Sequence, residues 1–102
     1  MNRGDIYDAR FPQGRHPAVI ATRDTAIPRL RNVTVVQITS TVRGLPTEVP
    51  LGPEHGLARD CVANCDGVFT LPKQALGEFR GRLGFADVPR FDDALRIALD
   101  LD

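Results

Sequence analysis

Few side chains in this 102-residue chain have the chemistry to act on a substrate. The hydroxyls of Thr39 and Ser40 close the stretch Asn32 to Ser40, which is rich in Val, Ile and Thr and free of Gly and Pro. Stiff β-branched residues of this kind favour a strand. A hydroxyl on the end of a rigid strand is well placed for chemistry, although from the residues alone Thr39 reads first as one more β-former at a strand end. Thr39 and Ser40 point to opposite faces. Cys61 and Cys65 are four residues apart, which on one extended strand separates their Cα atoms by ~13 Å, too far for a disulfide. Two cysteines and two scattered histidines, His16 and His55, make no zinc pattern, so no metal or cofactor is expected. Both thiols read as small buried hydrophobes. His55, in the loop Gly52 to Gly56, reads as a surface residue with at most a weak claim on a ligand.

Positioning such groups requires a frame. In the stretch from Asn32, apolar residues fall on both parities, Val33 and Val35 against Val36 and Ile38. That pattern marks a central strand covered on both faces. Gly4 to Phe11 and His16 to Thr22 read as two further strands, joined by Pro12-Gln13-Gly14 into an antiparallel hairpin. Arg23 to Arg31 is a loop with one helical turn. Thr47 to Leu51 alternates strictly around Pro50, as an edge strand does. Arg59 to Asn64 and Gly67 to Leu71 read as separate strands, and Pro72 to Ala75 as a helical turn. Leu76 to Leu83 reads as a short twisted strand, because Gly77 and Gly81 weaken a helix there. Asp87 is positioned to cap a final helix with Pro89 in its first turn, and Val88, Phe91, Leu95, Ala98 and Leu99 form its apolar stripe. The sum is a single domain over residues 1–102, mainly β with a C-terminal helix and mostly antiparallel. Closure into a barrel would remove its exposed edges.

Composition bounds the function. Lys and Arg number 13 and Asp and Glu 13, so the chain carries no net charge. That argues against non-specific coating of nucleic acid. The balance is uneven: residues 1–59 hold eight Arg against five acids, and residues 60–102 hold five bases against eight acids. A basic N-terminal half can face a polyanion or simply water. The N-terminus enters charge with no apolar core of a signal peptide, and no apolar run reaches membrane-spanning length, so a cytoplasmic location is expected.

Six stretches, in order, resemble the MazF/PemK toxins. Arg3-Gly4-Asp5-Ile6-Tyr7 is similar to their opening RGDIY or RGDVY, and His16-Pro17-Ala18-Val19-Ile20 to their RPAVV strand. Val36 to Ser40 resembles their PIT-S/T segment, and Leu45-Pro46-Thr47-Glu48-Val49 their LPTHV or YPFEV. Gly56 to Val62 resembles GL-x-x-DSVV, and Phe91 to Leu101 the family's final helix. The resemblance implies an SH3-like barrel of the MazF, Kid and CcdB type and a homodimer. It implies a metal-independent endoribonuclease that cuts single-stranded RNA at short sequences. A small MazE-like antitoxin would restrain it with a disordered tail. The chain departs from the family in three places. His16 stands where the family carries a catalytic Arg, with Arg15 one residue earlier. The first hairpin loop is shortened to Pro12-Gln13-Gly14. The family's DQIRTI reads Asp66 to Leu71, without its basic residue.

Metal-free RNA cleavage must deprotonate the 2′-OH, protonate the leaving 5′-oxygen and stabilise the charge on phosphorus. An imidazole titrates near neutrality and suits that proton transfer. On this reading His16 moves the proton, Arg15 or another Arg supplies charge, and Thr39, which matches the family Thr, bonds the scissile phosphate. Arg10 and Arg43 are the candidates for holding other phosphates, with Ser40 beside them. With no Trp in the chain, base stacking falls to Tyr7 or a Phe. Two rival functions stay open at this level. One is a same-fold protein that binds DNA gyrase and cleaves nothing, as CcdB does. The other is an inactive member that only binds an antitoxin.

Overall fold

The structure, a computed structural model, describes residues 1–102. Six strands form one sheet: β1 Asp5–Phe11, β2 Gly14–Ile20, β3 Asn32–Thr39, β4 Glu48–Leu51, β5 Cys61–Pro72 and β6 Leu76–Arg82. Their order is β4-β5-β3-β2-β1-β6, and every neighbouring pair is antiparallel. One helix, α1, spans Asp87–Ala98. The expected β-rich architecture is therefore present, with β4 on the edge where its alternation and proline place it. No helix is long and apolar enough to cross a membrane.

The two parities of β3 feed two apolar clusters. Val36 and Ile38 join Ile6, Val19, Val49, Ala63, Cys65, Phe91 and Ala94 on one face. Val33 and Val35 join Ala9, Phe11, Ala18, Ile20, Ile27 and Leu71 on the other. Ile27 arrives on a 3-10 turn, Ile27–Arg29, the one helical turn expected in that loop. Both cysteines are free and buried, and burial pushes both thiols up, Cys65 to about 12. They are packing residues rather than nucleophiles.

Three expectations need correction. First, the two expected strands, Arg59 to Asn64 and Gly67 to Leu71, are not separate: Cys61 to Asn64 and Gly67 to Leu71 are parts of the single strand β5, and Arg59 and Asp60 precede it. Its pairing with β3 jumps from Val36↔Val68 to Ile38↔Ala63, so residues 64–67 stand opposite Gln37 alone. This bulge is fixed from both sides. Asp66 donates its N–H to Asn64 Oδ1 at 3.1 Å and accepts Thr47 Oγ1–H at 2.7 Å. Asp-Gly reads as a turn locally, but these bonds turn it into a bulge that bends the strand.

Second, Asp87 does not cap α1 from outside. It is the first helical residue, and the preceding Ala86 offers no side-chain cap. The Asp87 carboxylate instead accepts Gly84 N–H at 2.8 Å and an N–H from His55 at 2.7 Å. The buried stripe of α1 is also narrower than its spacing predicts: Phe91 and Ala94 are buried, while Val88 and Leu99 are exposed.

Third, His55 is not a surface residue. It is buried, with Nδ1 accepting Gly52 N–H at 3.1 Å and Nε2–H donating to Asp87 Oδ2. It ties the turn after β4 to the start of the helix. The next residue, Gly56, lies against the backbone of β6. A Cβ on Gly56 would overlap the Arg80 carbonyl oxygen, and one on Gly81 would overlap that of His55. Gly56 also has φ +82°, a conformation that favours glycine. These glycines let the chain after one sheet edge pack on the other edge, which curls the sheet towards a barrel.

The contact between His55 and Asp87 has a pH signature. Burial raises the Asp87 pKa, but hydrogen bonds from His55 and Gly84 outweigh it and hold the carboxyl below its ordinary value. A carboxyl depressed in the fold adds stability above its unfolded pKa of about 3.9, and that stability is lost as pH falls through the folded value. Asp87→Asn is therefore expected to cost about 1–3 kcal/mol at neutral pH. The gap from the parent protein should close in acid. Urea midpoints measured from pH 7 downward check this. A gap that is constant with pH would contradict it.

Candidate active site

The site begins with the pairing of β2 and β3. Ala18 faces Gln37, Val19 faces Val36 and Ile20 faces Val35. The ladder stops there, and beyond it His16 and Thr39 keep the strand parities of Ala18 and Gln37. His16, Ala18 and Ile20 alternate onto one face of β2, and Val35, Gln37 and Thr39 onto the same face of β3. That face is already identified by Ala18, Ile20 and Val35, which share one cluster. An imidazole and a hydroxyl from neighbouring strands are thus brought to one side of the sheet.

Each is held in a definite way. His16 is half-buried, with the edge of its ring towards Phe11 at 6.0 Å between centroids. Phe11 in turn meets Phe69 at 4.9 Å. Thr39 is half-buried, and its Oγ1 accepts Thr41 N–H at 3.1 Å. A threonine hydroxyl has one proton and two lone pairs, so that bond leaves its O–H free to donate. Beyond Thr39 the same row continues to Val62 of β5 and Pro50 of β4.

The other candidates lie elsewhere. Arg15 neighbours His16 on an extended strand and therefore points to the opposite face. Its cross-strand partner is Arg10, just as the partner of His16 is Ala9. Arg10 and Arg15 line a cleft of about 290 Å³ with Asp8, Gln74 and Gly77, and Arg10 reaches Gln74 O at 3.5 Å. The two guanidiniums are of opposite strand parity to His16 and form a basic rim at the hairpin end of β1 and β2, in a cleft that Ala9, Ala75 and Leu76 also line. Ser40 is exposed and has the parity opposite to Thr39. Arg43 sits in the exposed loop that leaves Thr39.

Two features of this face escaped the sequence reading. Gln37, half-buried between Val35 and Thr39, presents an amide beside the hydroxyl. Its signal was available: a polar residue of the same parity as Thr39 inside an apolar strand. The buried Phe11 ring meets His16 and, edge-to-face, the half-buried Phe69, whereas Tyr7 packs edge-to-face with Phe79 at 5.5 Å. Only the β3–β5 register, Val35↔Phe69, brings Phe69 there.

This chemistry can be set beside that of known proteins. Residues 2–99 match the model of the PemK-like, MazF-like toxins of type II toxin–antitoxin systems. The endoribonuclease MazF3 of Mycobacterium tuberculosis is 42% identical over 97 residues, which cover 95% of this chain and 93% of that protein. Among solved structures, the Mycobacterium tuberculosis toxin MazF-mt6 superposes with a TM-score of 0.92 at 41% identity, covering 96% of this chain and 98% of that one. A mycobacterial endoribonuclease in complex with its cognate antitoxin superposes with a TM-score of 0.91 at 31% identity, covering 100% and 97%. On sequence and fold alike, over nearly its whole length, the chain belongs to the PemK-like, MazF-like toxin family.

Proposed function

We propose that this protein is an endoribonuclease toxin that cuts single-stranded RNA without a metal and is silenced by a cognate antitoxin. The observation that supports the reading is that His16 and Thr39 share strand parity with Ala18, Ile20 and Val35, which pack in one apolar cluster across paired β2 and β3. The name of the MazF3 relative supports the activity, and the mycobacterial complex supports the antitoxin. The working unit is a cytoplasmic homodimer of single-domain protomers.

The chemistry follows from the groups. Neutral His16 accepts the proton of the 2′-OH as that oxygen attacks phosphorus. The bond from phosphorus to the 5′-oxygen breaks, and the departing oxygen takes a proton from water. The products are a 2′,3′-cyclic phosphate and a 5′-OH. The Thr39 O–H donates to a non-bridging oxygen, where charge accumulates. Phe69, half-buried and backed by the buried Phe11 ring, is the aromatic side chain of this face on which a flanking base can stack. Arg43, and Arg10 with Arg15 on the outer rim, supply positive charge to phosphates further along the strand.

Incubation with a mixed RNA in excess EDTA tests this reading. Discrete cuts with 5′-OH ends are expected. Intact RNA, with or without inhibition of DNA supercoiling, would overturn it.

A further inference from the structure

The loop from Ser40 to Pro46 leaves Thr39 and is exposed along its whole length, with no regular secondary structure. Such a loop has little to fix its shape, yet this one is fixed almost entirely by a single side chain. The Glu48 carboxylate accepts three consecutive backbone N–H groups. Oε1 takes those of Arg43 at 3.1 Å, Gly44 at 2.8 Å and Leu45 at 3.2 Å, and Oε2 shares that of Arg43 at 3.2 Å. Glu48 also donates its own N–H to Leu45 O at 3.1 Å. Gly44, at φ +73°, supplies the left-handed step that turns the three N–H groups towards one point. Successive N–H groups converging in this way form an anion-binding nest. Here the nest is filled from within, by a carboxylate on the first residue of β4.

The base of that carboxylate is rigid. Glu48 pairs with Asn64 across the β4–β5 ladder. The preceding Thr47 is buried, its O–H bonded to Asp66 and its carbonyl accepting Cys65 N–H at 2.9 Å. At its other end the loop is tied to Thr39, whose Oγ1 accepts Thr41 N–H. The loop therefore spans from the hydroxyl of the proposed site to a fixed carboxylate, with Arg43 between them.

We infer that Glu48 is a positioning residue for RNA binding: by filling the nest it holds Arg43 where its guanidinium meets a phosphate flanking the cut. This rests on the ribonuclease reading above. Glu48 touches no RNA and acts only through the loop. Because Arg43 grips a phosphate and moves no proton, losing its placement should weaken binding more than the chemical step.

The test uses Glu48→Gln, which keeps the side-chain size but removes the charge and one acceptor oxygen. Its KM for an RNA substrate is expected to rise by about tenfold to a hundredfold, the scale on which a displaced group costs. The kcat should stay close to that of the parent. Amide exchange at residues 43–45 should accelerate while the core strands stay protected. Arg43→Ala should raise KM similarly, and adding Glu48→Gln to it should do no further harm. A residue that merely stabilised the fold would instead add its full penalty to that of Arg43→Ala. Unchanged KM in Glu48→Gln, full additivity, or a silent Arg43→Ala would each overturn the inference. If the parent protein cuts no RNA, the ribonuclease reading falls and the role in RNA binding falls with it. The exchange rates at residues 43–45 would still show separately whether Glu48 holds the loop.

Discussion

His16→Ala is expected to lower RNA cleavage by about 10²–10⁴-fold, the range that a positioned acid–base group contributes. The size follows from the division of labour on the face. Thr39 can bond a phosphate oxygen but is too weak an acid or base to move the 2′-OH proton at neutral pH. Arg15, the nearest guanidinium in the sequence, stays protonated and so supplies charge rather than a base. No other imidazole can take over, since both ring nitrogens of His55 are engaged in its buried contacts. The loss should appear in kcat, because the role proposed for His16 is to move a proton and not to grip the RNA. The fold should tolerate the change, as His16 is only half-buried near the start of β2. Single-turnover cleavage beside a thermal melt separates the two effects. A variant that melts and cleaves like the parent would remove His16 from the mechanism.

Phe91→Ala is expected to cost about 3–5 kcal/mol, the usual penalty for emptying a large aromatic site. Phe91 is 0% exposed and is the chief anchor of α1 on the sheet. Its ring packs in the cluster that holds Ile6, Val19, Val36 and Ile38. It also lies under the Arg3 guanidinium, 5.3 Å from the ring centroid. Arg3 in turn pairs with Asp92 at 2.8 Å and donates to Ala21 O at 3.0 Å. The substitution therefore leaves a void and loosens the tie between the N-terminus and the helix. For a domain with about 5–15 kcal/mol in total, that is a large share of its stability. The urea midpoint should fall steeply. A cost below about 1 kcal/mol would mean that α1 contributes little to the core, contrary to its burial.

What could be read from the residues was what depends on near neighbours. The double parity of Asn32 to Ser40 announced a strand covered on both faces, and β3 has an apolar cluster on each side. Pro50 and its alternation placed β4 at an edge. What could not be read depends on partners distant in the chain. His55 looks like a surface residue because Gly and Pro surround it, and its burial is created by Asp87, on a helix that begins 32 residues later. The Asp66-Gly67 pair reads as a turn until Thr47 and Asn64 fix it as a bulge. That His16 and Thr39 share a face depends on the pairing of β2 with β3 across the long loop between them, which no local pattern encodes. The opposite facing of Arg15 and His16, by contrast, follows from strand alternation alone and was open to the sequence reading.

On the proposed mechanism the RNA supplies its own nucleophile, while the protein supplies an imidazole and a hydroxyl. Once a cut site is mapped, the same oligonucleotide can be remade with a single 2′-deoxynucleotide on the 5′ side of the scissile bond. This bond is expected to survive in EDTA while the all-ribose substrate is cut, leaving a 2′,3′-cyclic phosphate. Cleavage of the deoxy-substituted bond at a comparable rate would mean that water attacks phosphorus directly, and the roles given to His16 and Thr39 would be wrong.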